Sequence, residues 1–349
     1  MTAHRRRVLL IVLALLAPVA AACGAGAARE PGKLVVSVFG YAADRVERAV
    51  VEPFERMTGL DVVVETGANA DRLSKLRVNR NAPTVDVVLM SDFYAAMGEK
   101  EGLFDKVDEA RLPHLAEAHP FARNPDGYGP AYTYALLGMT YRTDRFPSAP
   151  GLERLGEPAY SGQVAVPDLA ITAGVPFLTT LARAYGSGPA DADAAFRALA
   201  RLKPNVLTFY NRSTELASLL DRGEVVMAPS LDIFAVDLVA RGRPVAWAPL
   251  DAGRVIVTNR AELVKGSAHR ADAERFIDYL LSRETQERAA ASFNDKPVNR
   301  AAKLPPVLAR VTGKAAADPI RAGFRPLDLD LVMRNLTTWS RRFAREIAG

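Results

Sequence analysis

The sequence predicts an α/β protein built on open, largely parallel sheets. Three observations carry this. Short apolar runs rich in β-branched residues recur at 34–39, 62–64, 85–90, 136–141, 164–166, 225–228, 245–248 and 255–257. Runs of that length suit strands buried on both faces. Segments of helical apolar spacing separate them, and the resulting β-α-β-α rhythm starts near residue 33 and restarts after the run at 136–141.

The elements follow in order. Residues 24–32 are small, polar and featureless, as a tether would be. After the strand at 34–39, Val46, Val50, Phe54 and Met57 fall at helical spacing. Asp44 is the candidate N-cap of this helix and Gly59 its stop; Pro53 should kink it. Helix 70–78 joins the strands at 62–64 and 85–90. Beyond the strand at 136–141 come strand 164–166, helices 176–185, 192–202 and 213–220, and strands 225–228, 245–248 and 255–257. Helices at 271–281, 284–291 and 329–347 close the chain. No internal repeat is visible.

The N-terminus has its own logic. Arg5-Arg6-Arg7 precede an almost wholly apolar stretch to Val19, and Ala20-Ala21-Ala22-Cys23-Gly24 follow. A basic segment, an apolar segment and small residues before a cleavage point make a secretory signal peptide, here residues 1–22. The apolar stretch is too short for a bilayer span, which needs about 20 residues. Cys23 is the sole cysteine among 349 residues. Its place directly after the small residues resembles a bacterial lipoprotein signal, in which the thiol is diacylated and becomes the new N-terminus. Two acyl chains make a stable anchor where one does not.

Composition excludes several classes. Apolar content of 49% with 24% charged residues is ordinary for a globular chain. Without a second cysteine no intrachain disulfide can form, so core packing alone must stabilise the fold. The formal charge is +5, but three arginines lie in the leader, which leaves the remainder near +2. No basic tract with interleaved aromatics appears, so no nucleic-acid partner is expected. His114, His119 and His269 show neither triad nor metal spacing, which argues against catalysis and against a metal or cofactor.

Five segments, in order, resemble the extracellular solute-binding proteins of ABC importers, in the group containing polyamine and ferric-iron binders. The first is Val51-Glu52-Pro53-Phe54-Glu55-Arg56-Met57-Thr58-Gly59-Leu60-Asp61-Val62. The second is Val85-Asp86-Val87-Val88-Leu89-Met90-Ser91-Asp92-Phe93-Tyr94, with Glu101-Gly102-Leu103 after it. The third is Tyr132-Thr133-Tyr134-Ala135-Leu136-Leu137-Gly138-Met139-Thr140-Tyr141-Arg142. The fourth runs from Leu263 to His269 and on through Ala273 to Ser282. The last is Pro297-Val298-Asn299-Arg300. The resemblance implies a two-lobed fold of the type II periplasmic-binding-protein kind, with two open α/β sheets joined by crossover strands. Lobe 1 would be 33–133 plus 255–349, and lobe 2 would be 134–254. It also implies a monomeric receptor that closes on a small solute and serves a permease and its ATPase. A sensor or accessory lipoprotein on the same fold is the competing reading.

Ligands of open α/β sheets bind beyond the carboxyl ends of the strands. The candidates there are Tyr41 after the first strand, Asp92, Phe93 and Tyr94 after strand 85–90, and Asp168 and Thr172 after strand 164–166. Tyr210, Arg212 and Ser213 precede the helix at 213–220. Asp232 follows strand 225–228, and Thr258 lies on the returning strand. Ser91 or Asp92, Thr172 and Ser213 are equally candidate helix caps. Within the resemblance, polyamine binders carry two carboxylates where Leu169 and Thr172 stand, and an aromatic and an aspartate where Ile256 and Thr258 stand. Ferric-iron binders use paired tyrosines, and Ile233-Phe234 occupies that place. The dication set is depleted, so an anionic or zwitterionic solute near Arg212 is expected over a polyamine or iron.

If Cys23 is the acylation point, Cys23→Ala should move the protein out of the detergent-soluble membrane fraction. Continued membrane association of the variant would refute the lipoprotein reading.

Overall fold

Strand β1 (Lys33–Phe39) is buried along five successive residues, which its apolar run demanded. The structure is a computed structural model and describes residues 32–41 and 43–348, so the expectations for the leader and for Cys23 lie outside the described residues. From Gly32 onward the chain clusters as one unit. Between β1 and β2 (Asp61–Gly67) lies a continuous helical stretch: α1 (Ala43–Val46), a π-turn at Glu47–Val51, and α2 (Glu52–Thr58). Gly59 ends it at φ 73, a conformation glycine adopts without penalty.

Pro53 acts differently from the expected kink. It brings no N–H to the Ala49 carbonyl four residues back, and the chain widens into the π-turn just before it. The carbonyls freed there find other donors. Arg288 Nε donates to Ala49 O at 3.2 Å, and the Tyr279 hydroxyl donates to Val50 O at 3.2 Å. Met57, expected on the core face, is 55% exposed.

Helix α3 (Asn69–Val78), strand β3 (Val87–Ser91), helix α4 (Asp92–Lys100) and strand β4 (Phe104–Asp105) follow. Strand β5 spans Ala131–Arg142, twice the length read from its apolar run. Then come β6 (Val164–Pro167), α5 (Gly174–Tyr185), α6 (Ala192–Leu202), β7 (Val206–Tyr210), α7 (Ser213–Arg222), β8 (Met227–Leu231), α8 (Asp232–Ala240), β9 (Val245–Pro249) and β10 (Val255–Val264). The last elements are α9 (Arg270–Leu281), α10 (Arg283–Phe293), β11 (Lys296–Pro297), α11 (Pro306–Thr312), β12 (Arg325–Pro326) and α12 (Leu329–Glu346).

Strand order along the sheet path is β2-β1-β3-β10-β5-β8-β6-β7. β1, β2 and β3 are parallel, and β10 is antiparallel to β3 and to the first half of β5. The second half of β5 pairs with β8 and β9, and β6 runs parallel to β7 and β8. The β5 strand therefore belongs to two sheets in succession, as the expected crossover requires. β10 runs well beyond the expected 255–257, through Thr258, Asn259, Arg260 and Glu262, residues unlike those of a buried strand. Each has a partner inside: Arg260 pairs with Glu99 at 2.7 Å, and Glu262 accepts from the Gly129 N–H at 2.9 Å.

The terminal helix α12 packs against both α4 and α6. Phe343 meets Phe209 edge-on at 5.6 Å, and Arg342 lies 4.4 Å over the Phe196 ring and pairs with Asp193.

Replacing Arg288 with Met should lower stability by about 1–2 kcal/mol, because the Ala49 carbonyl loses its donor. Chemical denaturation checks this; an unchanged midpoint would show that the π-turn needs no external donor.

Candidate functional site

The cleft forms where the carboxyl ends of strands from the two sheets face each other. One wall is Phe39 at the end of β1 and Tyr41 after it, with Thr66 and Gly67 at the end of β2 and Ala68 and Asn69 beyond it. The other is Ala170 to Ala173 after β6, Asn211 to Thr214 after β7, and Leu231, Ile233 and Phe234 around the end of β8. The crossover strands supply the floor through Tyr132, Ala135, Val257 and Asn259, and Phe293 and Asp295 complete it. An inner cavity of about 100 Å³ opens into an outer one of about 380 Å³, with Phe39, Tyr41, Ile171, Thr172 and Ser213 shared between them. The walls touch at several points. Tyr41 meets Phe234 edge-on at 5.9 Å, the Tyr94 hydroxyl donates to Ala170 O at 3.1 Å, and Arg45 pairs with Asp237 at 3.3 Å.

Of the expected residues, Tyr41, Thr172 and Ser213 line both cavities and Arg212 lines the outer one. Thr172 and Ser213 are not caps: α5 and α7 begin without a side-chain cap. The other seven lie outside the lining. Asp92 is buried and accepts the Thr258 N–H at 3.0 Å and the Thr258 hydroxyl at 3.3 Å. Burial raises its pKa, and the Thr258 N–H opposes this. That contact also removes Thr258 from the cleft. Phe93 packs in the core, 4.5 Å from Tyr94. Tyr94 is mostly buried and makes the bridge to Ala170 described above. Asp168 accepts the Ala170 N–H at 2.8 Å, which closes a tight turn. Tyr210 is fully buried and donates to Pro229 O at 2.7 Å. Asp232 is fully buried, accepts the Leu136 N–H at 3.0 Å, and forms an ion pair with the equally buried Lys296.

The residue that sequence reasoning missed is Asp295. It follows α10 directly, after Asn294 has turned the chain at φ 66. Its Oδ2 accepts from the Thr133 hydroxyl at 3.2 Å and from Asn259 Nδ2 at 3.3 Å. Its Oδ1 is buried and has no hydrogen-bond partner. Burial pushes its pKa up to about 7; Lys296 opposes the shift and Asp232 adds to it. Among the lining residues Asp295 is the one charged group of the inner cavity, and Arg212 is the one charged group of the outer cavity. The inner walls are otherwise mostly apolar and aromatic, with Phe39, Tyr41, Tyr132, Phe234 and Phe293, and carry the neutral polar groups of Thr172, Ser213 and Asn259. Burial raises the pKa of both tyrosines, so they stay neutral. The clue was local: an Asp295-Lys296 pair directly before the Pro297-Val298-Asn299 segment. Among the described residues no cluster of three or more His, Cys, Asp or Glu could hold a metal.

Because folding raises the Asp295 pKa, the folded state holds a proton that the unfolded state releases. Stability should therefore fall as pH rises from about 4 to about 7. Unfolding followed across this range should show Asp295→Asn losing a decline of a few kcal/mol relative to wild type. Parallel curves for the two proteins would mean that Asp295 titrates normally.

Comparison with known proteins agrees with this geometry. Residues 49–319 match the family model described as Bacterial extracellular solute-binding protein. The chain is 24% identical over 302 residues to the spermidine/putrescine-binding periplasmic protein of Escherichia coli, covering 83% of this chain and 84% of that one. It is 25% identical over 298 residues to the gamma-aminobutyric acid-binding protein of Pseudomonas aeruginosa, with 80% of each covered. Among solved structures, an ABC transporter protein from Clostridium perfringens superposes with TM-score 0.74 at 30% identity, over 90% of this chain and 99% of that one. The fold is shared also with the binding protein AgtB in complex with agropinic acid, at TM-score 0.76 and 20% identity, over 92% and 100% of the two chains.

Proposed function

Because the chain belongs to the bacterial extracellular solute-binding proteins, we propose that it is a lipid-anchored receptor that captures a small solute and hands it to an ABC permease and its ATPase. The observation that carries this is a cavity walled by loops from both sheets and floored by the strands that join them. A solute held there touches both lobes at once and so stabilises their closure. The lobes in this reading are 33–133 plus 255–349 and 134–254, with α12 leaning on both. The anchor is the Cys23 lipid; among the described residues no helix is long and apolar enough to cross a membrane. The receptor acts as a monomer, since one chain supplies every wall of the cleft.

The solute places its apolar body in the inner cavity and an acidic group toward Arg212, where the N-terminus of α7 also opens onto the outer cavity. Relatives named for spermidine, putrescine and gamma-aminobutyric acid support a solute of that size. Leu169, Thr172, Ile256 and Thr258 offer no paired carboxylates, which disfavours the polyamine alternative and, with no paired tyrosines, iron.

Small-angle scattering over a broad solute panel tests the reading. A solute that raises the melting temperature should also compact the particle. Arg212→Ala should weaken an acid-bearing solute roughly tenfold to a hundredfold. A confirmed, saturating solute that leaves the particle size unchanged would exclude a hinged receptor.

A further inference from the structure

We propose that Asp295 anchors one ammonium group of the solute, and that this group displaces a proton from the Asp295 carboxyl as it binds. The inference rests on the receptor reading and concerns the chemistry of its cleft. Lys296 and Asp232 are fully buried and paired with each other, so the lysine's charge is already matched. Asp295 is a second carboxylate beside that pair. Protein donors reach only its Oδ2, and Oδ1 is left without one in a buried site. A buried acceptor in that position calls for a donor, and a carboxylate in an apolar cavity calls for a cation.

The titratable and charged groups facing Asp295 leave its Oδ1 without a donor and its charge without a partner of its own. From β11 there is Lys296, from the start of α8 Asp232, from β5 Tyr132, and from the loop after β1 Tyr41. Arg45 lies 5.7 Å over Tyr41 but is committed to Asp237 and to Ser292 O. The aromatic walls suit an ammonium through cation–π contact. A second ammonium would meet no second acid in either cavity and would approach Arg212 instead. The cleft therefore takes a solute with one ammonium, and with an acid at its other end.

Proton balance follows from the burial. With the cavity empty and the pH below about 7, Asp295 carries its proton. An arriving R–NH₃⁺ stabilises the carboxylate; the O–H bond breaks and H⁺ leaves to solvent, while the ammonium keeps its own three protons.

Calorimetry on the purified full chain tests this with γ-aminobutyrate, putrescine and butyrate as probes. Each is titrated at about pH 6 and about pH 8, in two buffers of different ionisation enthalpy. The expected result is that γ-aminobutyrate binds more tightly than putrescine or butyrate. It should release close to one proton at the lower pH and little at the higher. Asp295→Asn should weaken it roughly tenfold to a hundredfold and abolish the proton release. Arg212→Ala should weaken it and leave the release intact. Binding that is unchanged in Asp295→Asn, binding without proton release, or failure of both amines overturns the assignment. A non-amine solute that binds and compacts the protein would do so while leaving the receptor reading in place.

Discussion

Two buried aspartates hold the crossover strands, and the cleft depends on them. Asp92 follows β3 and opens α4; its carboxylate accepts the backbone N–H of Thr258 on β10. Asp232 follows β8 and opens α8; its carboxylate accepts the backbone N–H of Leu136 on β5. In the β5–β10 ladder, Leu136 faces Ile256 and Tyr134 faces Thr258, so the two gripped amides lie two residue pairs apart. A helix from each sheet thus fastens one crossover strand. A carboxylate accepting a backbone N–H in a dry interior is a strong, directional contact. Asp232 also carries Lys296, which brings the chain after α10 against β5 and so sets where Asp295 sits.

This arrangement explains why acids that looked like ligand contacts are structural. At the sequence level, an aspartate at the carboxyl end of a parallel strand reads the same whether it faces a solute or a neighbouring backbone. Asp92 and Asp232 face backbone. Asp295, which follows a helix and no strand, faces the cavity. The proposed ammonium contact and the joint between the sheets use the same carboxylate chemistry within a few residues of each other, and only the three-dimensional arrangement separates them.

The fold was largely legible. The runs at 34–39, 164–166 and 245–248 and the helix at 192–202 appear almost where periodicity put them. Legibility failed where polar residues are satisfied by distant partners. Arg260 and Glu262 disguised half of β10, because Glu99 and Gly129 lie far away in sequence. Pro53 announced a disturbance but not its form, since the donors that permit a π-turn come from α9 and α10. For the cleft, Tyr41, Thr172, Arg212 and Ser213 were found from strand-end logic. The floor residues Tyr132, Asn259 and Asp295 were not, because they come from crossover strands and a helix end that this logic does not reach.

The position of β10 in the sheet also shapes how the chain reaches its folded state. Met90 pairs with Arg260, about 170 residues later, and β5 cannot complete its first-sheet edge until the same strand arrives. Every residue of the second sheet precedes β10, while the first sheet stays open along β3 until the end of that wait. Pairings so distant in sequence close slowly, because the loop entropy is lost before the contacts are gained. A nascent chain therefore lacks a finished first sheet until β10 has been made. The topology that puts walls on both sides of the cleft also delays completion of the first sheet until about three quarters of the chain is present.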